Sequence, residues 1–253
     1  MSGGWGAVII GDEIVRGKRR DGHFPKLVEL LAARGLHLNW LQYIGDERDR
    51  LVQTFRRTLG EGDVVFSFGG IGVTPDDHTR QAAAAAAGVE LALHSDAERE
   101  IRARMAETNQ PVIPERLELG HFPAGSRIIP NPFNRIPGFS FGDHHFVPGF
   151  PQMAWPMIEW VLETYYRDRF NTIDETERAI QVWEGMEGQL LKLMRDVEAL
   201  YPRLTVFSLP CFGDEAIRRH VELGARGKPG EVAAAMEIIE AEVRRLGFEF
   251  DRI

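Results

Sequence analysis

The chain has very little cysteine, since Cys211 is the single one among its 253 residues. One thiol cannot close an intrachain disulfide, which suits a protein of a reducing compartment. Long apolar runs are missing as well, because no stretch approaches the roughly 20 residues that a membrane helix needs. The N-terminus lacks the basic and apolar regions of a signal peptide. We therefore expect a cytoplasmic protein with no membrane partner and an ordinary structural thiol.

Positive charge is also scarce. The 30 Lys and Arg residues stand against 38 Asp and Glu residues, which gives a formal net charge of −8. An acidic chain is a poor partner for a nucleic-acid backbone, whereas a small anionic ligand needs only a local positive potential. With 43% hydrophobic residues the chain can bury a sizeable core, in one large or two modest domains.

The first two-thirds of the chain alternate between strand and helix patterns. Strands separated by helices of about ten residues predict right-handed crossovers and a mostly parallel α/β sheet. Asp46 is predicted to cap the second helix, and Ser95-Asp96-Ala97-Glu98 has the form of a capping box. The predicted strands are 5–10, 38–44 and 64–68, and the predicted helices are 24–34, 47–59, 80–87 and 95–108.

Prolines dominate the segment 110–151 and exclude a long helix there, although a hairpin across Gly142-Asp143 is expected within it. A helix over 152–166 follows. The remaining chain has the order β-α-β-β-α-β, which is that of a split βαβ, ferredoxin-like α+β domain. The sequence thus predicts a larger domain over 1–168 and a smaller one over 174–253. The predicted elements of the smaller domain are 178–184, 187–200, 204–209, 216–223, 231–246 and 248–253.

An eleven-residue segment, which we call the glycine loop, is the most informative feature of the sequence. It follows an apolar strand and precedes a helix, so its open amides and the positive end of the helix dipole favour a bound phosphate. Two adjacent carboxylates in it would repel a bare phosphate unless a divalent cation lies between them. The segment is Gly69-Gly70-Ile71-Gly72-Val73-Thr74-Pro75-Asp76-Asp77-His78-Thr79.

Further acidic residues follow the first two strands, in Gly11-Asp12-Glu13-Ile14 and Gly45-Asp46. The loops after parallel strands meet at the carboxyl edge of the sheet, where ligands bind. Several carboxylates on one rim would be costly without a cation. We therefore predict that Asp12, Asp46, Asp76 and Asp77 supply ligands for a divalent metal ion such as magnesium, cobalt or nickel.

Plainer interpretations remain open at this point. No Gly-Lys-Ser/Thr follows the glycines, and Pro75 stands where a dinucleotide fingerprint needs its third glycine. The loop could be a tight strand-to-helix turn in which Asp76 or Asp77 caps the helix. Lys18-Arg19-Arg20 could attract an anion or simply be solvated. His144-His145 lies in the predicted hairpin, and no histidine spacing matches a zinc site.

Taken in order, these segments resemble the molybdopterin-binding (MoaB/MogA-like) domain of molybdenum-cofactor biosynthesis proteins. Within that family the sequence is most similar to the N-terminal part of the competence/damage-inducible protein A (CinA) group. Two later segments add to the likeness, Asn131-Pro132-Phe133-Asn134-Arg135-Ile136-Pro137-Gly138-Phe139 and Val147-Pro148-Gly149-Phe150-Pro151. The resemblance covers roughly residues 5–165.

The resemblance implies a three-layer α/β/α domain that forms a homo-oligomer, a dimer or trimer, and binds molybdopterin or a nucleotide at the strand ends. Some related domains adenylylate molybdopterin with ATP and magnesium. The CinA branch is linked to metal-dependent hydrolysis of nucleotide pyrophosphates such as ADP-ribose. Ligand contacts are then expected from Gly11, Gly69, Gly70, Ile71, Gly72, Thr74, Pro148 and Gly149.

The sequence departs from the family pattern at several rim positions. Phe68 replaces the usual Thr before the two glycines, and Val73 replaces a usual Pro. His23 stands near the position of a usual Asn, and Met153 stands where a Glu is usual. These changes leave the fold intact but remove polar groups from the expected site.

Three hypotheses follow. In the first, a metal-dependent hydrolase of phosphoanhydrides uses Asp76 and Asp77 at the reacting phosphate and His78 as proton carrier. Asp77→Asn should then lower ADP-ribose turnover by about two orders of magnitude. In the second, the protein binds a pterin or nucleotide without catalysis, which the lost rim groups favour. In the third and weakest, it is an assembly subunit that acts through its second domain.

Overall fold

A computed structural model describes residues 3–172, 174–214 and 216–253. The chain forms two compact units that divide after Thr172. The strands of the first unit are β1 (Trp5–Ile10), β2 (Trp40–Ile44), β3 (Val64–Phe68), β4 (Leu91–Leu93), β5 (His121–Pro123), β6 (Arg127–Ile129), β7 (Gly138–Phe141) and β8 (His144–Val147). Its helices are α1 (Asp12–Val15), α2 (His23–Ala32), α3 (Arg48–Glu61), α4 (Thr79–Ala87), α5 (Ser95–Glu107), α6 (Pro114–Leu117) and α7 (Pro151–Tyr165).

Six strands form the central sheet in the order β2-β1-β3-β8-β7-β6. The first four are parallel, whereas β7 and β6 extend the sheet as an antiparallel edge. A separate antiparallel ribbon joins β4 and β5. The predicted hairpin between β7 and β8 is present, and the sheet is mostly parallel as the sequence indicated.

Alternate side chains of β1 enter two different hydrophobic cores, as expected for a strand that is buried on both faces. Trp5, Ala7 and Ile9 pack with residues of α2 and α7. Val8 and Ile10 pack on the other side with residues of α3, α4 and α5. The helices thus cover both faces of the sheet, and the predicted three-layer α/β/α arrangement is confirmed.

The His144-His145 pair of β8 is buried and hydrogen-bonded within the protein. The Nε2 atom of His144 lies 2.7 Å from the Ser67 hydroxyl. The Nδ1 atom of His145 lies 2.7 Å from the Ser140 hydroxyl, and its Nε2 atom lies 2.7 Å from the Tyr166 hydroxyl. These contacts occupy the ring nitrogens and give the pair a structural role in the core.

Two predicted helix caps are wrong. Helix α3 is preceded by Glu47, and no side chain caps its first turn. The Asp46 carboxylate instead accepts a hydrogen bond from the Asp12 amide. Helix α5 is capped by His94, whose ring accepts from the Asp96 amide at 3.2 Å, so Ser95 lies inside the helix. At α3 the partner of Asp46 comes from a distant segment, whereas at α5 the cap lies one residue earlier than predicted.

The second unit has the predicted split βαβ order. Its strands form one antiparallel sheet in the order β10-β11-β9-β12, with two helices packed on its apolar face. Within the described residues, no helix combines the length and apolar character needed to cross a membrane. The elements are β9 (Thr176–Trp183), α8 (Glu187–Leu200), β10 (Thr205–Cys211), β11 (His220–Gly227), α9 (Pro229–Arg245) and β12 (Phe250–Arg252).

Candidate functional site

A cavity of about 500 Å³ lies at the carboxyl ends of β1, β3 and β8. Its walls are the loops that follow these strands and the segment 131–137. Most of the residues predicted for the site line this cavity, but Asp12 and His78 do not. The lining includes Gly11, Asp46, Gly69, Gly70, Ile71, Gly72, Thr74, Asp76, Asp77, Pro148 and Gly149.

The glycine loop needs its first two glycines for steric reasons. Gly69 and Gly70 have φ angles of +103° and +67°, which L side chains rarely adopt. A Cβ on Gly69 would lie 2.5 Å from the Ile10 carbonyl oxygen, and one on Gly70 would collide with the Thr79 hydroxyl. That hydroxyl donates to the Gly69 carbonyl at 3.0 Å, and the Thr79 amide donates to the Gly70 carbonyl at 3.0 Å. The loop is therefore fixed to the start of α4.

Four successive amides in the loop are free to bind a ligand. In the described part of the chain, the N–H groups of residues 70–73 have no protein acceptor. The Thr74 amide differs, because it donates to the Asp77 carboxylate at 2.9 Å. The predicted ligand contact of Thr74 stays a prediction, because Thr74 lines the cavity although its amide already has Asp77 as acceptor. The open amides end at Val73.

Arg80 supports the loop from behind. Its buried guanidinium donates to the Gly72 carbonyl at 2.6 Å and also to the carbonyls of Glu118 and His121. Burial lowers the pKa of Arg80, while the charges of Asp77 and Glu118 oppose that shift. An arginine stays charged even so. Arg80 thus places positive charge directly under the open amides; at the first position of a predicted helix, its sequence context gave no sign of this role.

Acidic groups converge beside the loop, as their positions after parallel strands suggested. The Asp12 amide donates to the Asp46 carboxylate at 2.8 Å. Burial raises the pKa of Asp46; the Asp12 amide opposes this, and the charges of Asp12, Glu13 and Asp76 raise it further. Asp12 itself forms an ion pair with Arg16 at 2.6 Å and is not among the residues that line the cavity. Asp46 is therefore the carboxylate that most needs a cation.

The two aspartates of the loop differ in their surroundings. Asp77 accepts from both the amide and the hydroxyl of Thr74, so it latches the end of the loop. Asp76 is exposed, and the Thr74 hydroxyl and its own amide lower the pKa of its carboxyl. Asp76 therefore remains ionised at the cavity edge, whereas Asp77 holds the loop in shape.

A ready-made metal cage is not formed by these acids. Across residues 3–172, 174–214 and 216–253, no group of three or more His, Cys, Asp or Glu side chains is arranged to hold a metal ion. The pairing of Asp12 with Arg16 and of Asp77 with Thr74 explains this. The remaining donors, Asp46, Glu13 and Asp76, provide oxygen atoms of the type that magnesium prefers, usually together with phosphate oxygens of a ligand.

We predict that Asp46→Asn raises the melting temperature of the ligand-free protein at pH 7. A carboxyl whose pKa is raised on folding costs stability once it ionises, so the neutral amide relieves the repulsion. Asn can still accept from the Asp12 amide. Because Asp46 is half-exposed and water screens the repulsion, the rise should stay below about 4 °C. Thermal unfolding in EDTA measures it.

The exposed Asp49 of α3 provides the control, since Asp49→Asn removes the same charge away from the cavity. A lower melting temperature for Asp46→Asn than for Asp49→Asn would contradict the repulsion.

Several cavity residues were not among the predicted site residues. Glu13 and Arg19 face the polar end, and their side chains lie 3.9 Å apart. Asn134, Phe150 and Met153 line the cavity as well. The sequence held one usable signal for the last three, because they fall inside or next to the two proline-rich segments that resemble the family.

Two departures from the family pattern contact each other beneath the cavity. The His23 ring stacks on Phe68 with ring centres 4.6 Å apart. Its Nε2–H donates to the Gly149 carbonyl at 3.1 Å. Burial lowers the pKa of His23, while the Gly149 carbonyl and Asp21 oppose the shift, so the ring packs as a neutral aromatic group. His23 thus packs on Phe68 and supports the loop after β8 through the Gly149 carbonyl.

Comparison with known proteins agrees with this architecture. Residues 6–168 match a family model described as "Probable molybdopterin binding domain". A protein of Pyrobaculum arsenaticum is 30% identical over 207 residues, which cover 80% of this chain and 78% of that protein. A CinA-like protein of Parasynechococcus marenigrum is 30% identical over 94% of this chain but only 57% of its own length. The chain thus spans little more than half of that relative.

A solved structure supports the fold of the first unit. The crystal structure of the protein CinA from Thermoplasma acidophilum has a TM-score of 0.57 and 25% sequence identity, and the match covers 63% of this chain and 97% of that one. The matched family region contains the whole cavity at the carboxyl ends of β1, β3 and β8. The chain therefore belongs to the molybdopterin-binding domain family, with CinA-like proteins among its relatives.

Proposed function

We propose that the cavity binds a nucleotide pyrophosphate and hydrolyses its phosphoanhydride bond with the help of a divalent metal ion. The observation that carries this proposal is the run of four unpaired amides from Gly70 to Val73, backed by Arg80 and facing several carboxylates in one cavity. Backbone amides of this kind bind phosphate oxygens, and the carboxylates beside them favour a cation-bridged diphosphate.

Each residue has a distinct part in this proposal. The amides of residues 70–73 hold one phosphate, and Asp46 with Glu13 provides oxygen donors for the metal. A divalent cation there would neutralise phosphate charge and polarise a phosphoryl oxygen. Asp76, exposed and ionised, accepts the proton of the water that attacks phosphorus while the bridging P–O bond breaks. Asp77 fixes the end of the glycine loop by accepting a hydrogen bond from the Thr74 amide. His78 does not line the cavity, so the proton-carrier role predicted for it passes to Asp76.

A second candidate function is binding without turnover. Met153 lines the cavity at the position where related sequences usually carry a glutamate, and a thioether can neither hold magnesium nor accept a proton. Under this alternative the protein carries a pterin or nucleotide as a homo-oligomer. Saturable binding with no product after long incubation would favour it over the hydrolase.

The test is a screen of nucleotide pyrophosphates, including ADP-ribose and ADP, with magnesium, cobalt or nickel. Calorimetry measures binding, and detection of released monophosphate measures hydrolysis. The hydrolase proposal expects metal-dependent release of monophosphate. Binding without release would support the second candidate, and the absence of any binding would contradict both.

We predict that Asp76→Asn lowers metal-dependent turnover by about two orders of magnitude, the usual scale for loss of a positioned acid–base group. Asp77→Asn should cause a loss of similar size, but for a different reason. Asparagine keeps an acceptor oxygen but loses the negative charge, so the hydrogen bonds from Thr74 should weaken and ligand binding should fall as well, whereas Asp76→Asn should mainly lower the rate. Asp49→Asn, an exposed change outside the cavity, is the matched control and should keep the activity of the parent. Parental turnover in both loop variants would refute the assigned roles.

A further inference from the structure

The charged side chains of the cavity are unequal in number. Among the described residues, Arg19 is the single Lys or Arg that lines the cavity. A diphosphate brings further negative charge to the same place, so its binding depends on every positive group within reach. The carboxylates that line the cavity are those of Glu13, Asp46, Asp76 and Asp77. Arg19 is therefore the lining side chain from which an anionic ligand gains most.

The backbone of Arg19 is fixed by the turn that follows α1. The amides of Lys18 and Arg19 both donate to the Glu13 carbonyl, at 2.8 and 3.0 Å. Gly17 has a φ of +69°, and its amide donates to the Ile14 carbonyl at 3.0 Å. The chain thus turns back over α1, and the start of the Arg19 side chain is held at the edge of the cavity.

The guanidinium of Arg19 is not committed to a protein acceptor. Its ion pair with Glu13 is 3.9 Å long, which exceeds the length of a hydrogen bond, and 64% of the Arg19 side chain is exposed. Arg16 differs, because it closes on Asp12 at 2.6 Å. In the part of the chain that the structure describes, no other acceptor lies within hydrogen-bond distance of the Arg19 guanidinium. Its N–H donors are therefore available to a ligand.

The two basic neighbours of Arg19 have a different position. Lys18 and Arg20 are exposed, and neither lines the cavity. They can attract an anion only from a distance, and such attraction is weakened by salt. The sequence left open whether the segment Lys18-Arg19-Arg20 attracts an anion or is simply solvated. The geometry separates one residue that can contact a ligand from two that are solvated.

A diphosphate has a second phosphate that the glycine loop does not satisfy. The open amides of residues 70–73 are taken up by one phosphate in the proposed function. Ionised carboxylates have no proton to donate, so the acidic side chains beside the loop cannot bind the other phosphate directly. A guanidinium can, since its planar fork donates to two phosphate oxygens at once. Arg19 is the lining residue with this chemistry.

We infer that Arg19 binds the second phosphate of the ligand, the one away from the glycine loop, and thereby makes the site selective for diphosphates over monophosphates. In hydrolysis, the water oxygen bonds to the phosphorus at the loop and its proton passes to Asp76. The bridging oxygen leaves on the second phosphate with the electron pair of the broken bond, and Arg19 donates to this phosphate as its charge grows. The inference rests on the proposed function, because it assigns a contact to another part of the same ligand.

The test uses calorimetry in magnesium with methylenediphosphonate, a diphosphate probe that cannot be hydrolysed, and competition by methylphosphonate, which has one phosphonate. Arg19→Gln should weaken binding of methylenediphosphonate about tenfold, because hydrogen bonds between charged groups are lost. Its affinity for methylphosphonate should stay within about twofold of the parent. Arg20→Gln removes the same charge outside the cavity and is the matched control, with both affinities within about twofold of the parent. Arg19→Lys keeps the charge without the planar fork and should restore only part of the loss.

The outcomes separate this inference from the function beneath it. If Arg19→Gln binds methylenediphosphonate as tightly as the parent, or if Arg20→Gln weakens that binding equally, Arg19 does not contact the second phosphate, and the phosphate site at the glycine loop stands. Equal affinity of the parent for the two probes would refute the selectivity in the same way. If the parent binds neither probe, the proposed function fails and the inference fails with it.

Discussion

Gly70→Ala should weaken binding of magnesium diphosphate ligands by at least about 100-fold, because it disturbs the loop that carries the open amides. The alanine methyl would collide with the Thr79 hydroxyl and would also force an L residue to a φ of +67°. The Thr79 hydroxyl would lose its position against the Gly69 carbonyl, which fixes the loop to α4. Two misplaced amides, each worth about 1.5–3 kcal/mol as a hydrogen bond to a charged group, account for a loss of this size.

Gly142→Ala is the matched control for this change. Gly142 has a nearly identical φ of +60°, but a Cβ there meets nothing within 4 Å, and it lies in the β7–β8 hairpin outside the cavity. Both variants should lose about 1–2 kcal/mol of stability from the left-handed backbone. Only Gly70→Ala should lose ligand affinity, as measured by calorimetry and thermal unfolding. Equal affinities in the two variants would show that the loop amides do not hold the ligand.

The protein should lose stability steeply as the pH falls below about 6.5, because His144 and His145 are buried in the neutral form. Burial lowers the pKa of His144 to about 3. Burial, and then the charges of His144 and Arg127, hold the pKa of His145 well below its ordinary value. The unfolded chain takes up the protons first, so the stabilisation is complete above pH 6.5 and is lost towards the folded pKa values. Each histidine removes about 1.4 kcal/mol of unfolding free energy per pH unit in that window.

Denaturant unfolding at pH 7.5 and pH 5.5 measures this loss of unfolding free energy. The variant His144→Gln shows how much of the loss comes from His144. A glutamine amide can reach the Ser67 hydroxyl in place of Nε2, and it does not titrate. The variant should be less stable at pH 7.5, since it loses the stacking of His144 on Phe146, but its stability should change less between the two pH values. His37→Gln, a change at an exposed histidine, should keep the parental pH slope. An unchanged slope in His144→Gln would exclude His144 as a source of the acid sensitivity.

Much of the fold could be predicted because it depends on local patterns. The nearly all-apolar run of β3 and the helical spacing of the apolar residues along α2 specify their elements without help from the rest of the chain. The caps at Asp46 and Ser95 were wrong for the opposite reason. The Asp46 carboxylate accepts from the Asp12 amide of a distant segment, and at α5 the ring of the adjacent His94 accepts from the Asp96 amide, so that His94 and not Ser95 is the cap.

The candidate site divides in the same way. The glycines at 69 and 70 and the acids after parallel strands could be placed at one edge from sequence, because topology alone brings those strand ends together. The pairing of Asp12 with Arg16, the latch between Asp77 and Thr74, and the position of His78 outside the cavity could not. Spacing shows that a carboxylate is near a site, but it does not show which way the side chain turns or what it already binds.

Arg80 has a consequence for the way a ligand would enter. Its guanidinium joins the Gly72 carbonyl to the backbone at Glu118 and His121, while Thr79 secures the same loop at Gly69 and Gly70. The glycine loop is thereby ordered before the ligand binds, and no part of it has to become ordered when a phosphate binds. Ligand binding should then occur in a single step limited by diffusion into the cavity. Stopped-flow traces of binding should show no slow conformational phase.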